Sequence, residues 1–248
     1  MISRLLLEYD GGPFAGWARQ PGLRTVQEEV ERALATVLRE PAELTAAGRT
    51  DRGVHAWGQV ASYEGPPAPL RNLNAVLPDS IAALGCEEAP DGFDARRDAR
   101  SRTYCYRVLA RPAPSPLRAG RVLWWPHRID REALDACARA LRGTHDFTAF
   151  TPTQTEHVRF ERHVFEARWE ERDGLLSFWI EADAFMRHMN RVLVATMLEV
   201  AGGRRSGESF VALLEGVPRA AAGATAPAHG LYLASVRYTG PDYHQTRP

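Results

Sequence analysis

Ala47-Gly48-Arg49-Thr50-Asp51-Arg52-Gly53-Val54-His55 places one carboxylate between two guanidinium groups in a loop punctuated by glycine. An arginine stays charged at any working pH, so it can serve as the counter-ion of a carboxylate or grip a phosphate or an extruded base. Gly48 and Gly53 admit backbone conformations closed to other residues and let a ligand come close. A lone Arg-x-Asp triplet reads as a solvated turn with a surface ion pair. What distinguishes this one is the rest of the chain, beginning with residues 43–47 before it and 57–63 after it, which look like strands flanking the loop.

The pattern extends outward in both directions. Residues 3–10 alternate Leu5, Leu7 and Tyr9 and close on Gly11-Gly12, a strand and turn. Thr25-Val26-Gln27-Glu28 is a capping box, and the apolar spacing behind it predicts an amphipathic helix to about Arg39, stopped by Pro41. Residues 103–109 form a further strand. Arg111-Pro112-Ala113-Pro114-Ser115-Pro116 then makes a stiff connector, which puts a lobe at 1–110, the connector at 111–120 and a second lobe at 121–248.

In the second lobe a helix is predicted over 129–141, N-capped by Asp130. Phe165, Ala167 and Trp169 alternate before Asp173-Gly174, and Leu176, Phe178 and Ile180 after it, the strongest hairpin signal in the chain. A long helix begins near Phe185 and ends at Gly202-Gly203, with Arg187 and Arg191 together on the side opposite its apolar stripe. The expected class is α+β, two similar lobes of antiparallel strands covered by helices.

Composition narrows the chemistry. The apolar and charged fractions, 44% and 25%, are those of an ordinary globular protein, and no apolar run reaches the length of a membrane helix. The N-terminus meets an acidic residue at Glu8, too early for a signal peptide, so a cytoplasmic protein is expected. Cys86, Cys105 and Cys137 are odd in number and far apart, and no histidine falls in a ligand motif, so neither disulfides nor a metal are expected. All 31 basic residues are arginine. Chemistries that need a lysine amine, such as a Schiff base or the phosphate lysine of a P-loop, are thereby removed. With a formal net charge of zero, any nucleic-acid surface must be local.

Four more features can carry function, each with a plainer reading. Tyr104 lies on a strand beside Arg96, Arg97, Arg100, Arg102 and Arg107, as a base-stacking aromatic or as a core tyrosine. Arg187 and Arg191 address an anion or face water. Gly230-Leu231-Tyr232-Leu233 is an apolar strand, and Tyr9-Asp10-Gly11-Gly12-Pro13-Phe14-Ala15-Gly16-Trp17 mixes turn residues with aromatics that could line a groove.

Taken in order and spacing, these blocks resemble the TruA family of tRNA pseudouridine synthases. The matching residues are Glu8-Tyr9-Asp10-Gly11 with Gly16-Trp17, Val26-Gln27-Glu28, Gly48-Arg49-Thr50-Asp51 with Gly53-Val54-His55, and Asn74-Ala75-Val76-Leu77-Pro78. Arg102-Thr103-Tyr104-Cys105-Tyr106, Asp146-Phe147-Thr148-Ala149-Phe150, Phe185 with His188-Met189-Asn190-Arg191, and Gly230-Leu231-Tyr232-Leu233 complete the set. Departures from the common pattern are Ala18, Arg52 and Asn190, with Arg52 a candidate extra phosphate contact.

The resemblance implies isomerisation of uridine to pseudouridine at nucleotides 38 to 40 of the tRNA anticodon stem-loop, without cofactor or metal, by a homodimer. Its fold is the pseudouridine synthase fold, a largely antiparallel continuous sheet flanked by helices with a central catalytic cleft. By resemblance Asp51 is the essential aspartate, Arg49 takes the place of the flipped base, Tyr104 packs on the uracil, Arg191 pairs with the aspartate, and Leu231 is the apolar wall. Arg52 and His55 join the substrate-binding set. The carboxylate can bond to C1′, add to C6, or remove the C2′ proton, and the sequence leaves these routes open. The alternative is a protein that binds or helps fold tRNA on the same scaffold without catalysis.

Overall fold

The computed structural model describes residues 1–155 and 158–238. In chain order the elements are β1 (Ile2–Tyr9), α1 (Val26–Leu38), β2 (Thr45–Ala46), β3 (His55–Glu64), α2 (Leu70–Val76), β4 (Ile81–Ala89), β5 (Ser101–Leu109) and β6 (Leu123–Trp124). There follow α3 (Arg131–Ala140), β7 (Gly143–Asp146), β8 (Glu161–Arg172), β9 (Leu175–Ala182), α4 (Met189–Ala201), α5 (Gly207–Ala212) and β10 (Leu231–Arg237). The protein is mixed α+β, with a large, mostly antiparallel sheet flanked by helices.

Two compact units are present: Met1–Arg102 together with the segment from Tyr232, and Thr103–Leu231. The proline-rich residues 111–120, where the sequence suggests a boundary, lie within the second unit. The strand that follows them returns to β5 in parallel, pairing Val108 with Leu123 and Leu109 with Trp124. Residues 239–248 of the expected 121–248 lobe fall outside the described residues.

The strand order of the first unit is β4-β1-β3-β10, with β2 on β3. β1 runs antiparallel to β3 and β4, and β10 runs parallel to β3, with Tyr232 opposite His55. Alternation on β1 buries Leu5, Leu7 and Tyr9 on one face. Thr25 caps α1 by accepting from the Glu28 N–H at 3.4 Å. Its apolar stripe, Val26, Val30, Ala33 and Leu34, is buried, and Arg39 ends it in the left-handed region at φ 61°. The Asn74 side-chain amide both donates to Ala83 O (2.8 Å) and accepts from Ala83 N (2.7 Å), fastening α2 to β4.

The second unit orders its strands β5-β9-β8-β7, with β6 on β5. The β8–β9 hairpin pairs Trp169 with Phe178 and turns through Asp173 and Gly174, both at positive φ as a primed turn requires. Asp130 Oδ1 accepts from the Ala133 N–H and starts α3, which packs on α4 and β8. The helix expected from Phe185 begins instead at Met189. His188 stands at φ 63°, and Asp183 Oδ1 accepts from the Ala184 and His163 amides, so the lead-in is held in a non-helical form. Arg187 therefore precedes α4, and the expected pairing of Arg187 with Arg191 on one helix face does not occur.

Leu34 is fully buried on α1. Leu34→Ala is expected to lower unfolding stability by about 3 kcal/mol, read from the denaturant midpoint at unchanged m-value; a shift below about 1 kcal/mol would show that α1 does not close the first core.

Candidate active site

The loop of residues 48–54 joins β2 to β3 and carries Arg49, Asp51 and Arg52. Arg49 and Arg52 are exposed and Asp51 is half-buried, whereas Thr50 between them is buried. That contrast follows from how the backbone is held. Ala47 N donates to Val60 O (2.8 Å), Trp17 N donates to Thr50 O (3.0 Å), and Val54 N donates to Asp51 O (3.1 Å) across a turn completed by Gly53 at φ 78°. The Arg102 guanidinium donates to Ala47 O (3.1 and 2.9 Å) and also to Ala99 O and Arg96 O. Arg102, one of the run of arginines beside Tyr104, is thus a staple for main-chain carbonyls.

Behind the loop lies a buried polar chain. Gln59 Nε2 donates to Gly48 O (2.6 Å) and lies 3.5 Å from the Tyr9 hydroxyl, which in turn sits 2.7 Å from Thr50 Oγ1. Burial pushes the Tyr9 phenol far above its ordinary range, against the weaker opposing effect of its Thr50 and Gln59 hydrogen bonds. Tyr9 therefore remains a neutral hydrogen-bonding group at any working pH. Gly48 and Thr50, the two neighbours of Arg49, are both tied to this chain, and Thr50 immediately precedes Asp51.

Two glycines complete the support. A β-carbon on Gly11 would lie 1.9 Å from Val54 O, and one on Gly16 would lie 2.9 Å from Thr50 O and 3.2 Å from Arg52 N. Both contacts are backbone against backbone, so no side-chain movement relieves them. The Gly11 N–H is 3.1 Å from His55 Nδ1, which lies 3.0 Å from Asp10 Oδ1, and the buried imidazole stacks on Tyr232 at 4.7 Å. His55 is placed to hold residues 10–11 to the end of the loop.

In the second unit, Tyr104 on β5 is buried with its ring edge-on to Phe185 (4.9 Å, 74°). Arg191 lies in the first turn of α4, and its Nε donates to Ala226 O (2.7 Å) while its own carbonyl accepts from Ala226 N (3.1 Å). Tyr106, two residues beyond Tyr104, donates its hydroxyl to Pro227 O (2.7 Å). Burial raises this phenol strongly, and the nearby Arg191 charge only partly offsets that. A β-carbon on Gly230 would lie 2.7 Å from the Tyr106 ring, so the chain passes flat against it and delivers the buried Leu231 to the start of β10.

The structure therefore gathers Arg49, Asp51 and Arg52 on one braced loop with His55 at the start of β3 beside it, and ties Arg191 and Leu231 to β5 through residues 226–230. Thr50, Gln59 and Tyr106 are supporting residues to which the sequence reading gives no role, and Tyr9, read there among aromatics that could line a groove, is instead buried behind the loop. Gln59 left a signal, a polar residue in the middle of an apolar strand pattern. Among the described residues, no group of three His, Cys, Asp or Glu side chains is placed to hold a metal ion, and no helix is long and apolar enough to cross a membrane.

A family model described as tRNA pseudouridine synthase matches residues 137–239. Relatives named tRNA pseudouridine synthase A are similar along nearly the whole chain. That of Frankia casuarinae is 47% identical over 95% of this chain and 88% of its own, that of Thermus thermophilus 41% over 94% and 95%, and that of Bacillus subtilis 38% over 96% and 99%. These relatives define the class of the chain as a pseudouridine synthase. The chain belongs to the tRNA pseudouridine synthase A family.

Tyr9→Phe removes the hydroxyl between Gln59 and Thr50 and leaves the ring in place. It is expected to speed amide hydrogen exchange in residues 48–54 and to cost about 1 kcal/mol of stability. Unchanged protection of that loop would show that the buried chain does not brace it.

Proposed function

We propose that this protein isomerises uridine to pseudouridine at nucleotides 38, 39 and 40 of the tRNA anticodon stem-loop, acting as a cytoplasmic homodimer without cofactor. The observation that supports it most is Asp51 on a loop whose backbone is fastened at Ala47, Gly48, Thr50 and Val54, with Arg49 and Arg52 exposed on either side.

The reaction breaks the bond from N1 to C1′, turns the uracil, and joins C5 to C1′, so atoms are rearranged with no net oxidation and no donated group. The C5 proton is lost to solvent. A carboxylate near C1′ and C2′ serves any of three routes: bonding to C1′, addition to C6, or removal of the C2′ proton to a glycal-like intermediate. Each requires Asp51 at a fixed position, which the braced backbone provides.

In this reading Arg191 pairs with Asp51 and orients it. Tyr104 stacks on the uracil and assists loss of the C5 proton, and Leu231 closes the apolar side of the pocket while the detached base turns. Uridines in a stem or stacked loop must be extruded at a cost of a few kcal/mol, offset in part by Arg49 filling the gap. Arg52 adds a phosphate contact. His55 belongs with the support of the loop, given its burial against Gly11 and Tyr232.

The test is tritium release from tRNA labelled at C5 of uridine. Wild type is expected to release the label, and Asp51→Asn to lose release by more than about a hundredfold with tRNA affinity unchanged. Substantial release by the variant would overturn the role of Asp51. Binding without release by wild type would favour the non-catalytic scaffold.

A further inference from the structure

The second unit contains a charge asymmetry that the uridine chemistry does not use. From Thr103 to Ile129 there are five arginines and no Asp or Glu, in a chain whose formal net charge is zero. The structure makes a shaped surface of this run. β6 pairs with the end of β5, and Trp125 N donates to Leu109 O at 2.9 Å. The intervening loop is held by its own atoms. Arg111 donates to Ala113 O (2.9 Å) and Pro114 O (3.0 Å), and the Trp124 indole N–H donates to Arg111 O (3.0 Å). Main-chain bonds from Arg118 to Ser115 and from Arg121 to Arg118 tighten its tip.

A sixth arginine arrives from elsewhere in the sequence. Arg204, just beyond α4, places its guanidinium over the Trp125 ring at 5.8 Å, and His127 meets the same ring edge-on at 5.0 Å. Arg121, His127, Arg128 and Arg204 are exposed, and so are Leu117 and Trp124. Among the described residues Arg118, Arg128 and Arg204 make no ion pair. The bordering acids are already engaged: Asp130 caps α3, and Glu199 pairs with Arg205 at 3.1 Å. Beside Trp124 a depression of about 300 Å³ opens between Leu109, Pro114, Val122 and Leu123, with Arg118 on its lining.

We infer that residues 117–128 with Arg204 form a contact surface for RNA, in which Arg118, Arg128 and Arg204 address phosphates and Trp124 offers a stacking face. This rests on the tRNA reading of the active site and adds to it a grip by residues that take no part in the chemistry. A guanidinium that no carboxylate holds keeps its planar fork for a phosphate, and an aromatic among such groups is the mixture that unpaired RNA favours. A second copy of the chain fits less well. A twofold interface sets a patch against itself, and this patch, drawn from a stretch with five arginines and no Asp or Glu, would bring like charges together.

The test uses the full chain carrying Arg118→Ala, Arg128→Ala and Arg204→Ala together, with tRNA binding followed across a salt series. Every phosphate that is no longer neutralised should lower the slope of log K against log salt by about 0.7 to 0.9, so the slope should fall by about two and affinity by at least about tenfold near 0.1 M salt. Turnover at saturating tRNA and the thermal midpoint should stay at wild-type values. The double variant Arg118→Glu and Arg128→Glu keeps Arg204 on Trp125 and should weaken binding further, which guards against a purely structural effect of losing that stack. A wild-type slope and affinity in both variants overturns the surface while leaving tritium release intact. Altered sedimentation with unchanged tRNA binding also overturns it, in favour of a second copy. If wild type shows the salt-dependent strip but releases no tritium, the activity reading fails and the surface stands.

Discussion

The backbone of residues 50–54 lies against the backbone of residues 11 and 16 with no room for a β-carbon between them. This close approach forces glycine at two positions and gives Asp51 a fixed carbonyl framework rather than a mobile loop. Every role proposed for Arg49, Asp51 and Arg52 depends on it. With Thr50 and Val54 seated on that framework, the intervening residues are limited to a turn closed by Gly53. Short polar side chains cannot alone hold a loop so tightly in water. The Tyr9, Gln59 and Thr50 chain holds it because it is buried, where each hydrogen bond is stronger and each broken one costlier.

The second unit solves an analogous problem with different groups. Residues 226–230 have no regular sheet partner over most of their length, so their carbonyls are met by Arg191 and Tyr106 side chains instead. The consequence is that Arg191 and Leu231, distant in sequence, share one supporting segment. In both units the support is buried and neutral or bonded to carbonyls. Arg49 and Arg52, which are proposed to meet the tRNA, remain at the surface. Such a division suits an enzyme that must hold its substrate strongly yet keep its reacting group in one place.

Much of this is legible in the residues. The Thr25 cap, the Asp173-Gly174 hairpin and the α3 cap are local, so their chemistry is written in adjacent residues. The glycines at 11 and 16 are visible as turn residues, but their reason, contact with a loop some forty positions away, is not. The lead-in to α4 reads as helix because its apolar spacing continues back through Phe185. What stops it is Asp183, bonded in part to a strand remote in sequence. The role of Arg102 is hidden for a similar reason: a guanidinium bonded to backbone carbonyls has the same letter as one facing water. The proline connector marks an excursion of the chain, and three prolines indicate stiffness without saying what the next strand pairs with.

The most direct measurement is a map of pseudouridine along a full-length tRNA transcript bearing uridine at 38, 39 and 40, after incubation with the purified protein alone. The account predicts pseudouridine at those nucleotides and nowhere else, formed without added cofactor. Pseudouridine confined to another part of the tRNA, or none in any transcript that the protein binds, would contradict it.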